Sequence, residues 1–492
     1  MTITAQSNKA CDLILFGTKG DLARRKLLPA LYQLERAGLL NADTRIIGVA
    51  RDELSLDGYS ELVESNLQKF VKEPLDADVM ARMKTKLHYV QIDLSKEQDY
   101  LKLKAVTDIS KRIPVSYFAT APSLFGNISK GLHLAGLSAV PSRVVLEKPI
   151  GHCLESSKVI NDQVAEFFQE TQIYRIDHYL GKETVLNLLA LRFANAIFAS
   201  NWDHNAIDHV QISVAEEVGV EGRWGYYDDA GQMRDMVQNH LLQVLSLIAM
   251  EPPARLDADS IRDEKLKVLK ALRPINLQNV QEKTVRGQYA AGFVGGKPVP
   301  GYLGEEDARP NSKTETFVAI KAEIDNWRWA GVPFYLRTGK RMASRCAEIT
   351  INFKPIPYSI FGKGQGPLRS NRLVITLQPE ESVQLFMKAK EPGEGIRLSD
   401  VALNLDFAEA SSSRRVESYE RLLLDALHGD LTLFVRDDEL GAAWEWIDPI
   451  MHAWSNDAEG LKSYIAGSWG PAAASYLLAQ HGAAWGEEYV EG

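Results

Sequence analysis

The sequence predicts two fold classes in one chain: an α/β domain on a parallel sheet, then a larger α+β domain whose mainly antiparallel sheet is flanked by helices. Three observations carry this. Over the first ~175 residues short, continuously apolar runs alternate with longer amphipathic ones, the grammar of βαβ units in a sheet covered on both faces. From about Lys283 to Met387 that grammar gives way to successive strand-like runs separated by turn signals. The length, 492 residues, exceeds what one hydrophobic core organises.

Taken in order, Cys11–Phe16 (CDLILF) reads as a buried strand and Asp21 to about Ala37 as a helix. Arg45–Ala50, Leu87–Ile92, Val115–Ala119 and Arg143–Leu146 read as four further strands with helical patterns between them. After Glu183 come a helix (ETVLNLLALRFAN), a half-buried strand Val210–Ala215, a long helix (AGQMRDMVQNHLLQVLSLIA) and another (DSIRDEKLKVLKAL). The runs KTVRGQYAAGF, TFVAIKAEI, PFYLRTG, EITINF, RLVITLQ and SVQLFM then read as strands of one large sheet, and helices return from Arg414. We place the domain boundary at 177/178, giving an α/β domain at 1–177 and an α+β domain at 178–492.

Composition excludes several classes of function. The formal net charge is −9, which argues against nucleic-acid binding but not against a small anion held by a few placed cations. No run reaches the ~18–20 uninterrupted apolar residues of a membrane span, and the N-terminus lacks the pattern of a secretory signal, so we expect a cytoplasmic protein without a membrane partner. Three scattered cysteines fit a reducing compartment, and with neither CxxC nor HExxH present we expect no metal.

Several motifs bear chemistry. Gly17-Thr18-Lys19-Gly20-Asp21-Leu22-Ala23 follows the first strand and opens the first helix, where a dinucleotide pyrophosphate meets backbone N–H groups and the positive helix end. The pattern, GxxGDLA, meets the GxGxxG fingerprint only in part, and a plain strand-to-helix turn is the alternative. Arg51 directly follows the second strand and suits the 2′-phosphate of NADP, with Lys19 as a second cation; Asp52 as ribose ligand of NAD is the alternative. Glu147-Lys148-Pro149 ends the fifth strand, placing Lys148 in the cleft beyond the carboxyl ends, or merely terminating the strand. A cis bond before Pro149 is allowed there.

In Arg175-Ile176-Asp177-His178-Tyr179-Leu180-Gly181-Lys182-Glu183, His178 and Lys182 are four apart. If a helix starts near Asp177 they share one face and can hold a phosphate monoester; a solvated helix start capped by Asp177 is the bland reading. On the helix Gln232–Ile248, His240 lies beside an apolar stripe of Met233, Val237, Val244 and Ile248, as a catalytic group or as a packed core histidine. Asp235 is some 140° round an α-helix from it, by the ~100° per residue of that geometry, so Asp177 is the better carboxylate to orient His240. Tyr335-Leu336-Arg337-Thr338-Gly339-Lys340, with Arg345 beyond, reads as a strand and a basic turn, either a wall of a site or a solvated loop. Glu216 and Glu217 end the strand before them, and alternation points only one inward.

Together, RIDHYLGKE at 175–183, GxxGDLA at 17–23, EKP at 147–149, RWGYYD at 223–228, DMVQNHLLQ at 235–243 and FYLRTGK at 334–340 closely resemble the glucose-6-phosphate dehydrogenase family of bacterial type, over essentially the full length. The resemblance implies a Rossmann-like first domain and oxidation of β-D-glucose 6-phosphate to 6-phosphoglucono-1,5-lactone with reduction of NADP, the opening step of the oxidative pentose phosphate pathway. It implies His240 as general base and Asp177 as its orienting carboxylate. His178, Tyr179 and Lys182 match holders of the substrate phosphate, and Glu216, Asp235 and Lys340 match sugar contacts. Arg345 stands in the substrate set where many relatives carry lysine. Lys26 matches a lysine near the reacting sugar oxygen, Lys148 a residue touching both ligands, and Arg51 the 2′-phosphate contact, with Gly17, Lys19, Gly20, Asp21 and Leu22 on the pyrophosphate side. It implies a homodimer or homotetramer, with the large sheet near the interface. The nearest rivals are a sugar dehydrogenase of the glucose–fructose oxidoreductase type, which usually shows GxGxxG and lacks RIDHYLGKE, and a silent NADPH sensor, which need not keep His240, Asp177 and Lys182 together.

Overall fold

The computed structural model describes residues 9–361, 370–393, 396–405, 414, 416–457 and 460–488. The chain divides into two compact units. The first comprises Met1–Lys182, Pro253–Asp263 and Arg415–Gly441, the second Glu183–Pro252, Glu264–Arg414 and Ala442–Gly492. Two stretches from far along the sequence therefore belong to the first unit.

The first unit is built on β1 (Cys11–Phe16), β2 (Arg45–Ala50), β3 (Leu87–Gln91), β4 (Ile113–Phe118), β5 (Arg143–Leu146) and β6 (Ile173–Ile176). Spatial order is β6-β5-β4-β1-β2-β3, all parallel, and a short strand Phe434–Val435 pairs antiparallel outside β6. This 3-2-1-4-5-6 order places a crevice beyond the carboxyl ends of β1 and β4, where the winding reverses. β1 and β4 sit centrally and every residue of both is buried, which is why their sequences are apolar without alternation. β6 was not among the strands expected from sequence. It has four residues, and buried Arg175 interrupts its apolar pattern. That guanidinium forks onto Glu170 at 2.6 and 2.9 Å and donates to Asn161 at 2.8 Å, so it serves the fold.

The second unit holds a nine-stranded sheet in the order Leu398–Leu405, Ser382–Lys390, Arg372–Gln378, Cys346–Phe353, Ile207–Ala215, Pro333–Gly339, Phe317–Glu323, Thr284–Ala290, Leu461–Ile465. All pairings are antiparallel except Ile207–Ala215 with Pro333–Gly339 and Thr284–Ala290 with Leu461–Ile465. The outermost strands, Leu398–Leu405 and Leu461–Ile465, lie outside the stretch read as strand-rich, because edge strands half open to solvent carry weak periodicity. A cluster of Trp224, Tyr227, Tyr289, Tyr302, Phe317, Tyr335, Tyr464 and Trp485 fills one face of this sheet near Lys340. Among the described residues no helix is long and apolar enough to cross a membrane.

Candidate functional site

Each unit carries its own set of chemistry-bearing residues. In the first, the turn after β1 is held by the N–H groups of Gly17 and Thr18 donating to Val49 O at 3.1 and 3.3 Å. Gly17 has φ +80°, and a Cβ there would stand 2.4 Å from Ala119 O at the end of β4. Only glycine permits that turn so close to the neighbouring strand. The cradle fits a dinucleotide pyrophosphate, since the turn feeds directly into a helix whose opening N–H groups lack intrahelical partners. Asp21 is taken up by Arg25 at 2.8 Å, Leu22 is half-buried, and Lys26 is exposed on a π-turn, Ala23–Leu27. Arg51 is exposed beyond β2. Lys19 meets Asp52 at 2.6 Å, and this hydrogen-bonded ammonium holds the Asp52 carboxyl below its ordinary range. The carboxylate beside Arg51 is thereby partly neutralised.

At the end of β5 Glu147 is buried, and burial pushes its carboxyl up in spite of hydrogen bonds from the Tyr117 and Tyr419 hydroxyls. The Lys148–Pro149 bond is cis. A cavity of about 700 Å³ lies beyond the ends of β4 and β5, lined by Pro122, Ser123, Pro149, Gly151, His152 and Cys153 among others.

The stretch after β6 departs from the expected geometry. Asp177 accepts from the Tyr179 N–H at 2.9 Å, and turns bonded Leu180 to Asp177 and Lys182 to Tyr179 follow. The helix starts only at Glu183. His178 and Lys182 therefore sit on consecutive turns, not on one helical face, because the Asp177 side chain offers the backbone an alternative to the helix. Lys182 lies over the Tyr179 ring, 5.2 Å from its centroid, and half-buried His178 stacks on Tyr419 at 6.3 Å and 10°. Tyr419 thus joins Glu147 to His178. Sequence reasoning missed it, since it is some 240 residues away and nothing local marks it.

In the second unit, Ile207–Ala215 and Pro333–Gly339 run parallel with Ala215 beside Gly339, so the residues that follow, Glu216 and Lys340, emerge at the same end. The Lys340 ammonium, almost fully buried, lies 2.7 Å from Glu216 Oε2, 3.9 Å from Asp235 Oδ2 and 5.1 Å from the Tyr227 ring centroid. One cation between two carboxylates leaves a net acceptor surface suited to several hydroxyl groups. Glu217 is exposed, so Glu216 is the inward member. Arg345 is exposed, with its guanidinium 3.4 Å from Gln378 Oε1.

His240 is fully buried on Met233–Leu241, which is π-helical. Its i→i+5 bonding brings residues five apart to nearly the same side. The 140° separation of Asp235 from His240 assumed an α-helix and does not hold. Asp235 is nevertheless turned to Lys340.

Comparison with known proteins matches both parts of the chain to family models. Residues 14–187 match the glucose-6-phosphate dehydrogenase NAD-binding domain, and residues 189–486 the glucose-6-phosphate dehydrogenase C-terminal domain. Among relatives, the glucose-6-phosphate 1-dehydrogenase of Dickeya dadantii is 55% identical over 490 residues, covering 99% of each chain. That of Rhizobium meliloti is 51% identical over 480 residues, covering 97% of each. Among solved structures, a glucose-6-phosphate dehydrogenase in complex with its substrate glucose-6-phosphate is similar with a TM-score of 0.89 and 37% identity, covering 97% of this chain and 98% of that one.

Proposed function

This chain belongs to the glucose-6-phosphate dehydrogenase family, and from that premise we propose how its residues divide the work. It oxidises D-glucose 6-phosphate to 6-phospho-D-glucono-1,5-lactone, with NADP as hydride acceptor. When bound, NADP supplies the electrophilic nicotinamide that receives the C1 hydride. Gly17, Lys19, Gly20, Asp21 and Leu22 hold its pyrophosphate side, Arg51 its 2′-phosphate, and the cavity beside Pro149 its nicotinamide end. Lys148 contacts both ligands.

His240 removes the proton of the C1 hydroxyl as the hydride leaves. A neutral imidazole suits that step at cellular pH. Asp177 fixes its tautomer and stabilises the imidazolium. His178, Tyr179 and Lys182 bind the substrate phosphate, so that affinity gained away from C1 serves its orientation. Glu216, Asp235 and Lys340 engage sugar hydroxyls, Arg345 assists them, and Lys26 approaches the reacting oxygen. The observation that carries this reading is the cluster in which Lys340 and Glu216, at the ends of two paired strands, meet Asp235 of the helix that also bears His240. Cofactor reduction followed at 340 nm tests it: glucose 6-phosphate with NADP must turn over, and glucose must do so far more slowly.

We assign the dinucleotide to 1–177 and substrate and subunit contacts to 178–492. The chain forms a homodimer or homotetramer: Val401, Leu403 and Leu405 repeat every second residue on an edge strand and are 39–59% exposed, with Met387 beside Val401. An apolar row of that kind calls for a partner. Light scattering of the wild type against Leu403→Lys decides the point. We place the protein in the cytoplasm, in keeping with free Cys11, Cys153 and Cys346.

A further inference from the structure

Ahead of His240 the chain makes a sharp bend. Helix Trp224–Gln232 contains Gly231 at φ 72°, ψ 170°, and the π-helix starts two residues later at Met233. Glu315, buried and remote in sequence, fills the elbow. Its Oε1 accepts from the Met233 N–H at 3.0 Å, and its carbonyl accepts from the Gln232 N–H at 3.0 Å and the Tyr227 hydroxyl at 3.2 Å. A Cβ on Gly231 would lie 2.4 Å from the same Oε1, so the bend and the carboxylate require each other. Gln232, with no exposed surface, accepts from the Tyr227 hydroxyl at 2.6 Å and donates to Thr338 Oγ1 at 2.7 Å. The neighbouring Thr316 carbonyl accepts from the Lys340 N–H at 2.9 Å. Residues 315 and 316 thus fix both the start of the His240 helix and the backbone of Lys340.

A π-helix leaves more opening N–H groups without intrahelical partners than an α-helix, and its wide turn is not the backbone's preferred state. Something outside the helix must select it. We propose that Glu315 is a positioning residue for the reaction: its carboxylate pins the first turn of Met233–Leu241 and thereby sets the register that aims His240 and Asp235. It does so through the backbone at the helix start, and its hydrogen bonds go to Met233, Gln232 and Tyr227, not to His240 or Asp235. The negative charge also suits a helix N-terminus. Burial raises the Glu315 carboxyl above its ordinary range, while the Met233 N–H pulls it back. What the elbow needs is an oxygen acceptor at the right reach, whether or not it is charged.

This inference rests on His240 being the base, and the experiment separates the two. Glu315→Gln keeps the length and an amide oxygen but loses the charge. Glu315→Asp keeps the charge but withdraws the oxygen by one methylene. Both are small changes in a packed site, and His240→Asn runs alongside. Because a 1 Å misplacement of reacting groups can cost ~10²-fold in rate, Glu315→Asp should lower kcat at least about tenfold. Glu315→Gln should stay within threefold, and the KM for NADP should hold within twofold in both. Asp and Gln variants equally active, or Gln as impaired as Asp, would overturn the positioning role. A purely structural role would shift Tm without this kcat-only split or its rescue by Gln. If His240→Asn itself keeps a tenth of kcat, the base assignment falls, and with it the ground of the inference.

Discussion

Gly17→Ala isolates what the glycine turn does. The added Cβ meets Ala119 O at 2.4 Å, the Ala119 carbonyl carbon at 3.1 Å and Thr120 Cγ2 at 3.2 Å. The first lies 0.6 Å inside the 3.0 Å that Cβ atoms essentially never cross, and the obstacle is backbone at the end of a buried central strand, which cannot swing aside. Overpacking of this kind costs about 1–3 kcal/mol. Left-handed backbone adds about 1–2 kcal/mol for an L residue. The sum, about 2–5 kcal/mol, is divided between two measurable quantities. If the turn keeps its shape, the cost appears in the stability of the enzyme; if it relaxes, it appears in cofactor affinity, where it is worth roughly 30- to 4,000-fold. Urea unfolding and fluorescence titration with NADPH read the two shares. Most should fall on the cofactor, since the turn ends in solvent-facing residues, and the KM for glucose 6-phosphate should change less than twofold. A combined loss under about 1 kcal/mol would refute the geometric argument. A full loss in stability with unaltered NADPH affinity would refute the assignment of the turn to the pyrophosphate.

His240→Asn should lower kcat at least about a hundredfold while glucose 6-phosphate still binds, as loss of a positioned base typically costs 10²–10⁴; a tenth of normal kcat retained would sink the assignment. On the proposed role of Lys182 in holding the phosphate, Lys182→Ala should cost a charge-assisted bond worth about 1.5–3 kcal/mol, raise the KM for glucose 6-phosphate at least tenfold and narrow its lead over glucose; steady-state kinetics on both sugars checks this. Arg51→Ala should raise the KM for NADP strongly and change NAD kinetics by less than about threefold, because a guanidinium can meet two oxygens of the 2′-phosphate. Equal losses with both cofactors would show instead that Arg51 supports the fold.

Much of the fold was legible because the first sheet is buried on both faces, so β1, β2 and β4 announce themselves as apolar runs between turn signals. The glycine turn followed from its place between a strand and a helix, whereas the pleat said only that one of Glu216 and Glu217 points inward, and the family resemblance chose Glu216. What stayed hidden was set by distant or competing contacts. A helix from Asp177 looked natural by spacing, but a side-chain hydrogen bond to Tyr179 N–H delays it to Glu183. No periodicity rule distinguishes nine π-helical residues from an α-helix when a remote Glu315 selects the register. Tyr419 and Glu315 reach their partners across 240 and 80 residues, a distance over which sequence pattern carries no signal.

The discontinuity of the first unit also bears on synthesis. Residues 9–182 contain all six parallel strands, yet Phe434–Val435, which borders β6, and Tyr419, on which His178 stacks, belong to the stretch Arg415–Gly441. Some 230 residues must be made between them, about 12–46 s at the usual ~5–20 residues per second of translation. Throughout that interval the outer edge of β6 is open and His178 lacks the Tyr419 ring on which it stacks. The nascent first unit therefore spends most of its time on the ribosome with an open strand edge, and chains arrested between 182 and 415 should be those that chaperones retain and proteases clip.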